Sequence, residues 1–126
     1  MTTLKPFMQG VSELSGTAER LTASACVPAD SNWYAGHFPG TPLLPGIAIL
    51  ALVEEAISEA ELREGNRVMM TSVGRVRFRL PVRPDDRMAI EVSREKKNDG
   101  YAYGFSVYLS GELACTGYLA ATVVER

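Results

Sequence analysis

The chain's single histidine, His37, stands in the run Gly36-His37-Phe38-Pro39-Gly40-Thr41-Pro42-Leu43-Leu44-Pro45-Gly46. Imidazole is the side chain best matched to moving protons near neutral pH, although a lone histidine is more often structural or solvated. Here the context favours chemistry. Glycines and prolines on both sides fix one backbone path, and the apolar run after Pro45-Gly46 predicts a helix with a buried N-terminus. The unpaired amides of that terminus form a site for developing negative charge. A base held beside such a site is a catalytic arrangement. No Gly-rich phosphate loop, metal-ligand cluster or Ser/His/Asp set competes for the only histidine, so neither a metal nor a cofactor is expected. Cys26 and Cys115 are too few and too far apart for a zinc ribbon or a redox pair, and both read as reduced, buried small hydrophobes.

These groups need elements to hold them. Residues 17–27 place Leu21, Ala23, Ala25 and Val27 on one parity and Thr22 and Ser24 on the other, which predicts a strand. Residues 28–45 are rich in proline and turn formers and predict a long functional loop. Ile47, Ile49, Leu50, Leu52, Val53, Ala56, Ile57 and Ala60 then predict a helix of about five turns. Its Glu54, Glu55, Glu59 and Glu61 fall in a polar second half, and Gly65-Asn66 closes it. From Val68 the period becomes two. Breaks at residues 81–86, at Lys97-Asn98-Asp99-Gly100 and at Ser110-Gly111 divide the remainder into four antiparallel strands. The expectation is an α+β fold in one domain, residues 1–126.

Composition narrows the functions. The 126 residues carry 13 Lys+Arg against 15 Asp+Glu, a net charge of −2, which argues against nucleic acid binding through bulk electrostatics. With 46% hydrophobic and 22% charged residues the chain can bury a core and is not a disordered tail. No apolar stretch is long enough to predict membrane insertion or a cleaved leader, so a cytoplasmic location is expected.

The segment from Trp33 to Gly46 resembles the hallmark of the β-hydroxyacyl-acyl-carrier-protein dehydratases, whose fold is the hot dog. The likeness extends to Arg77-Phe78-Arg79-Leu80-Pro81-Val82-Arg83-Pro84-Asp85-Asp86 and to residues 111–120, although the Pro-His-Arg segment that usually opens these enzymes is absent. It implies a long helix wrapped by a curved antiparallel sheet, and a homodimer joined edge to edge, with a trimer of dimers as the larger alternative. It also implies an acyl carrier protein whose phosphopantetheine-linked chain enters a tunnel at the subunit interface. By position, His37 matches the base that removes the α-proton of a (3R)-3-hydroxyacyl thioester, and Gly46 matches the glycine whose amide polarises the thioester carbonyl. Phe38, Gly40, Leu50, Ala51 and Phe78 are the expected substrate-lining positions.

One position departs from the pattern. The family carries Glu or Asp five residues after the glycine matched by Gly46, and here that residue is Ala51. Glu54 and Glu55 follow one turn later, with two readings open: solvation on the polar half of the helix, or, for Glu55 where relatives often carry Gln, replacement of the missing acid. Arg75, Arg77 and Arg79 alternate along one strand, either as a docking patch for an acidic carrier protein or as a solvent face that discourages edge aggregation. Tyr101, Tyr103 and Phe105 alternate as packing on one sheet face, and Trp33 reads as a loop anchor. A dehydratase is favoured; the alternatives are a catalytically weak acyl-thioester-binding partner, which Ala51 favours, and an acyl thioesterase.

Overall fold

The computed structural model describes residues 10–34, 40 and 42–125. Its elements run β1 (Val11–Gly16), β2 (Arg20–Cys26), a 3-10 turn (Asn32–Tyr34), α1 (Gly46–Arg63), β3 (Arg67–Phe78), β4 (Arg87–Lys97), β5 (Gly100–Leu109) and β6 (Glu112–Glu125). The strands form one antiparallel sheet in the order β1-β2-β4-β5-β6-β3. Because α1 leaves beside β2 and returns into β3 at the far edge, it must cross the sheet. The sheet wraps around it, as the resemblance implies.

Period-two patterning decides which face the helix meets. Leu21, Ala23 and Ala25 of β2, Met88, Ile90 and Val92 of β4, and Tyr103, Phe105 and Val107 of β5 are buried in one cluster with Ala48, Ile49, Leu52, Val53, Ala56, Ile57 and Ala60 of α1. Tyr103 and Phe105 therefore pack on the expected sheet face, within the core of one chain. Ser110 and Gly111 both take positive φ, 50° and 82°, which is the backbone a two-residue hairpin requires.

Both ends of α1 are explained by their residues. At the C-terminus, Gly65 takes φ 85°. Its N–H donates to Leu62 O (3.0 Å) while Asn66 N–H donates to Glu61 O (2.8 Å), which also accepts from Glu64 N–H (3.0 Å), a Schellman closure of the last turn. At the N-terminus Pro45 supplies no side-chain cap.

Three expectations change. The sheet has a further strand, β1, which sequence patterning does not mark. Val11-Ser12-Glu13-Leu14 is interrupted by a bulge between Ser12 and Ser15, with Glu13 at φ 54°, so its alternation is lost. The helix N-terminus is less enclosed than its apolar run suggests, for Ile47 is 68% exposed. Glu61, expected on the polar half, is fully buried.

Candidate active site

Two anchors fix the connection between β2 and α1. Tyr34 is buried, and its hydroxyl donates to Val27 O at 2.9 Å. Burial and then the nearby Asp85 raise its pKa to about 12, so it stays a donor. On the far side Leu44 is buried and its N–H donates to Val82 O at 2.8 Å. The anchor is thus Tyr34 rather than the expected Trp33, which is 42% exposed and lines a cleft. Indole and phenol differ here because only the phenol reaches a backbone acceptor. His37 and Phe38 lie outside the described residues, and Gly40 forms an exposed turn with φ 83°.

The helix start has the features an oxyanion site needs. Ala48 and Ile49 N–H groups donate to Pro45 O at 3.0 and 3.4 Å. Among the described residues no acceptor faces the Gly46 N–H. Phe78, the last residue of β3, brings the tip of its ring against this glycine: a Cβ at position 46 would stand 2.5 Å from Phe78 Cζ. Glycine is therefore required by a close approach of ring to backbone, and the ring is 52% exposed on its other side. Leu50 and Ala51, on the next turn, are half-buried.

Further along α1 the two adjacent glutamates separate. Glu54 is exposed. Glu55 is half-buried, and its Oε2 is shielded from solvent with no hydrogen-bond partner. Burial, reinforced by the neighbouring Glu54 charge, raises its pKa to about 7. With Leu52 it forms the helix wall of a cleft of about 850 Å³, whose other wall is Gly10, Cys26, Val27, Pro28, Asp30, Ser31, Asn32 and Trp33. Cys26 is accordingly half-buried, not buried as expected, whereas Cys115 is buried and its thiol is pushed up to about 11 by burial.

Glu61 makes a different use of burial. Its Oε2 accepts from Tyr103 Oη (2.5 Å) and Arg94 Nη1 (2.8 Å), and its Oε1 accepts from Asn66 Nδ2 (2.9 Å). Burial alone would raise its pKa, but the bonds from Tyr103, Asn66 and Arg94 outweigh that and hold it below the usual range. Arg94 also stacks 4.2 Å over the Tyr101 ring. This network ties the end of α1 to β4 and β5.

The arginines occupy a different face. A bulge between Gly74 and Arg77 puts Arg75 at φ 53°, and Arg79 lies beyond the end of β3, so the strict three-residue alternation expected from sequence is broken. All three are exposed, and Arg75 and Arg77 join Arg20 in an outer groove with Thr22, Glu91 and Ser93.

The profile of the ApeI-like family, described as ApeI dehydratase, matches residues 13–117. The chain belongs to the ApeI-like dehydratase family. Among curated relatives, the 3-hydroxyacyl-[acyl-carrier-protein] dehydratase FabZ of Caulobacter sp. strain K31 is 34% identical over 109 residues, covering 79% of this chain and 66% of that protein. The bifunctional enzyme LpxC/FabZ of Chlorobaculum tepidum is 29% identical over 114 residues, 86% of this chain and 24% of that one. The chain thus spans about a quarter of one relative and just under two thirds of the other. ApeI-like membership agrees with the fold neighbours. The dehydratase heterocomplex ApeI:P from Xenorhabdus doucetiae superposes with a TM-score of 0.70 at 19% identity, covering 89% of this chain and 96% of that one. A hypothetical thioesterase with coenzyme A from Streptococcus pneumoniae TIGR4 gives 0.72 at 12% identity, covering 90% and 86%. At these identities the neighbours establish the hot dog fold alone. No helix among the described residues is long and apolar enough to cross a membrane.

Proposed function

We propose that the chain eliminates water from a (3R)-3-hydroxyacyl thioester carried by the phosphopantetheine arm of an acyl carrier protein, in fatty acid or related lipid synthesis. The observation that carries this reading is the uncapped amide of Gly46 at the start of α1, with Phe78 laid against it, in a chain of a dehydratase family. The α-proton of a thioester is weakly acidic, so removing it requires both a base and stabilisation of the enolate-like oxygen. His37 is the base, and the Gly46 N–H receives the oxygen. The acyl chain runs past Phe38, Gly40, Leu50, Ala51 and Phe78.

The working unit is a homodimer in the cytoplasm. Strand β3 is a twelve-residue sheet edge with Met69 and Val73 exposed, an arrangement that invites pairing with a second copy. Arg75, Arg77 and Arg79 are the positions offered to an acidic carrier protein. Hydration of a trans-2-enoyl thioester, followed by loss of conjugated absorbance, tests the reading. Wild type should turn over and His37→Ala should lose activity; absence of wild-type turnover at every chain length would remove it. Carrier-protein affinity should weaken with salt and with Ala at the three arginines.

A second reading is favoured by one observation, the methyl group of Ala51 where the family carries an acid: the chain acts as an acyl-binding partner of another hot dog subunit. The likeness to the ApeI:P heterocomplex supports it. Acyl-carrier thioester binding without turnover by the isolated chain would select it, and release of free thiol would select the thioesterase reading instead.

A further inference from the structure

We propose that Glu55 supplies the carboxylate that works on the leaving hydroxyl, displaced by one helical turn from the position Ala51 leaves empty. The proposal rests on the dehydratase reading and deepens its site. Residues four apart on a helix differ by about 40° in direction and about 6 Å along the axis, so Ala51 and Glu55 share a face. Side chains on a helix lean toward its N-terminus and cover the turn before their own Cα. By this rule the turn of Ala51 lies within reach of a side chain at position 55, and the Ala51 methyl takes up little of that space. That lean recovers part of the offset, and one bridging water spans the rest.

Three observations distinguish Glu55 from a solvated glutamate. Leu52 and Glu55 form the α1 wall of the cleft, whose opposite wall runs from Cys26 at the end of β2 to Trp33. Glu55 Oε2 is shielded from solvent without a partner, and a buried acceptor left unpaired costs stability unless a ligand or water supplies the missing bond. The other titratable groups near it are Glu54 on its own helix, Asp30 on the connection and Cys26 on β2, with no Lys or Arg among the described residues of the cleft wall. Such surroundings favour a carboxyl that holds a proton to give.

The step balances without a further reactant. The base takes the proton from C2, and the C2–H electron pair becomes the C2=C3 π bond. The C3–O bond breaks with its electrons on oxygen, which takes the Glu55 proton and leaves as water. Glu55 is then a carboxylate and the base a conjugate acid; exchange of one proton through solvent restores both. In hydration the same carboxylate takes a proton from the attacking water.

Enoyl-thioester hydration by wild type, Glu55→Gln, Ala51→Glu and the Ala51→Glu/Glu55→Gln double variant tests this, with circular dichroism and light scattering confirming that each is folded and assembled. Losing one proton-transfer group should reduce turnover by about 10²-fold or more. The acidic limb of the wild-type pH profile, near pH 7, should be missing from Glu55→Gln. The double variant should recover activity because it returns a carboxylate to the turn above. A Glu55→Gln protein within about threefold of wild type, with an unchanged pH profile, overturns the proposal and leaves the dehydratase reading standing. A silent wild type overturns both.

Discussion

Replacing Glu55 by Gln should stabilise the protein, and only above a definable pH. The folded-state pKa is raised from 4.5 to about 7. Below about pH 4.5 the carboxyl is protonated in both folded and unfolded chains, and the substitution is nearly neutral. Between pH 4.5 and 7 the unfolded chain ionises while the folded one keeps its proton, so wild-type stability falls as pH rises. Above about pH 7 the penalty is constant. A shift of that size corresponds to about 3.4 kcal/mol at most, at 1.36 kcal/mol per unit. Because Glu55 is only half-buried, solvent screening reduces this to about 1–2 kcal/mol. For a domain of this length that is a rise in Tm of roughly 4–8 °C at pH 8. Urea unfolding of both proteins at pH 4.5, 6, 7 and 8 measures it directly. Stability curves that run parallel across the range, or a Gln variant weaker than wild type at pH 8, would refute an unpaired, desolvated carboxyl.

Glu61→Ala should cost about 2–4 kcal/mol in urea unfolding at neutral pH, because it leaves the half-buried Arg94 guanidinium and the buried Tyr103 hydroxyl without their acceptor. Since the Glu61 pKa is lowered, the wild-type contribution is complete above about pH 4.5 and is lost as pH falls below it, so the two proteins should converge in acid. Gly46→Ala should reduce turnover by at least about tenfold, by forcing the Phe78 ring off the helix start; Phe78→Ala in the same protein should restore the fold's stability. A dimer-to-monomer shift in light scattering is expected for Met69→Lys/Val73→Lys, which places two charges on the exposed apolar edge of β3, while unchanged mass would assign pairing to another surface.

Where local patterning and tertiary environment agree, the sequence was legible. The helix, β2 and the four strands after the helix follow from apolar periodicity and turn residues; all but β3, whose residues are exposed or half-buried, have one buried face. β1 escaped because its bulge erases alternation over six residues. The strict arginine alternation is lost for the same reason: a bulge at Gly74–Arg77 resets direction, and its one local signal is a glycine inside the strand. Glu61 was hidden more deeply. Tyr103 and Arg94 lie 42 and 33 residues away, so only the sheet's register reveals them as partners. One local signal existed, Asn66 five residues on, yet it reads equally well as part of the helix stop. Trp33 and Tyr34 are neighbours of similar chemistry, and which of them reaches Val27 O depends on the 3-10 turn.

The contrast between Glu55 and Glu61 bears on function more than either residue alone. Both stand on α1, and Glu61 is the more buried, yet its carboxyl is held charged while that of Glu55 is pushed toward neutrality. Burial therefore does not decide the outcome; partners do. A carboxylate that receives three hydrogen bonds, one of them from a guanidinium, is fixed in place and stabilises the junction of α1 with β4 and β5. Fully buried, it presents no oxygen to a substrate. A carboxyl that faces a cleft with an oxygen unpaired destabilises the empty protein, and a core selected for stability alone would place Leu or Gln there. An unpaired carboxyl facing a cleft one helical turn from Ala51 is what the proposed proton donor requires.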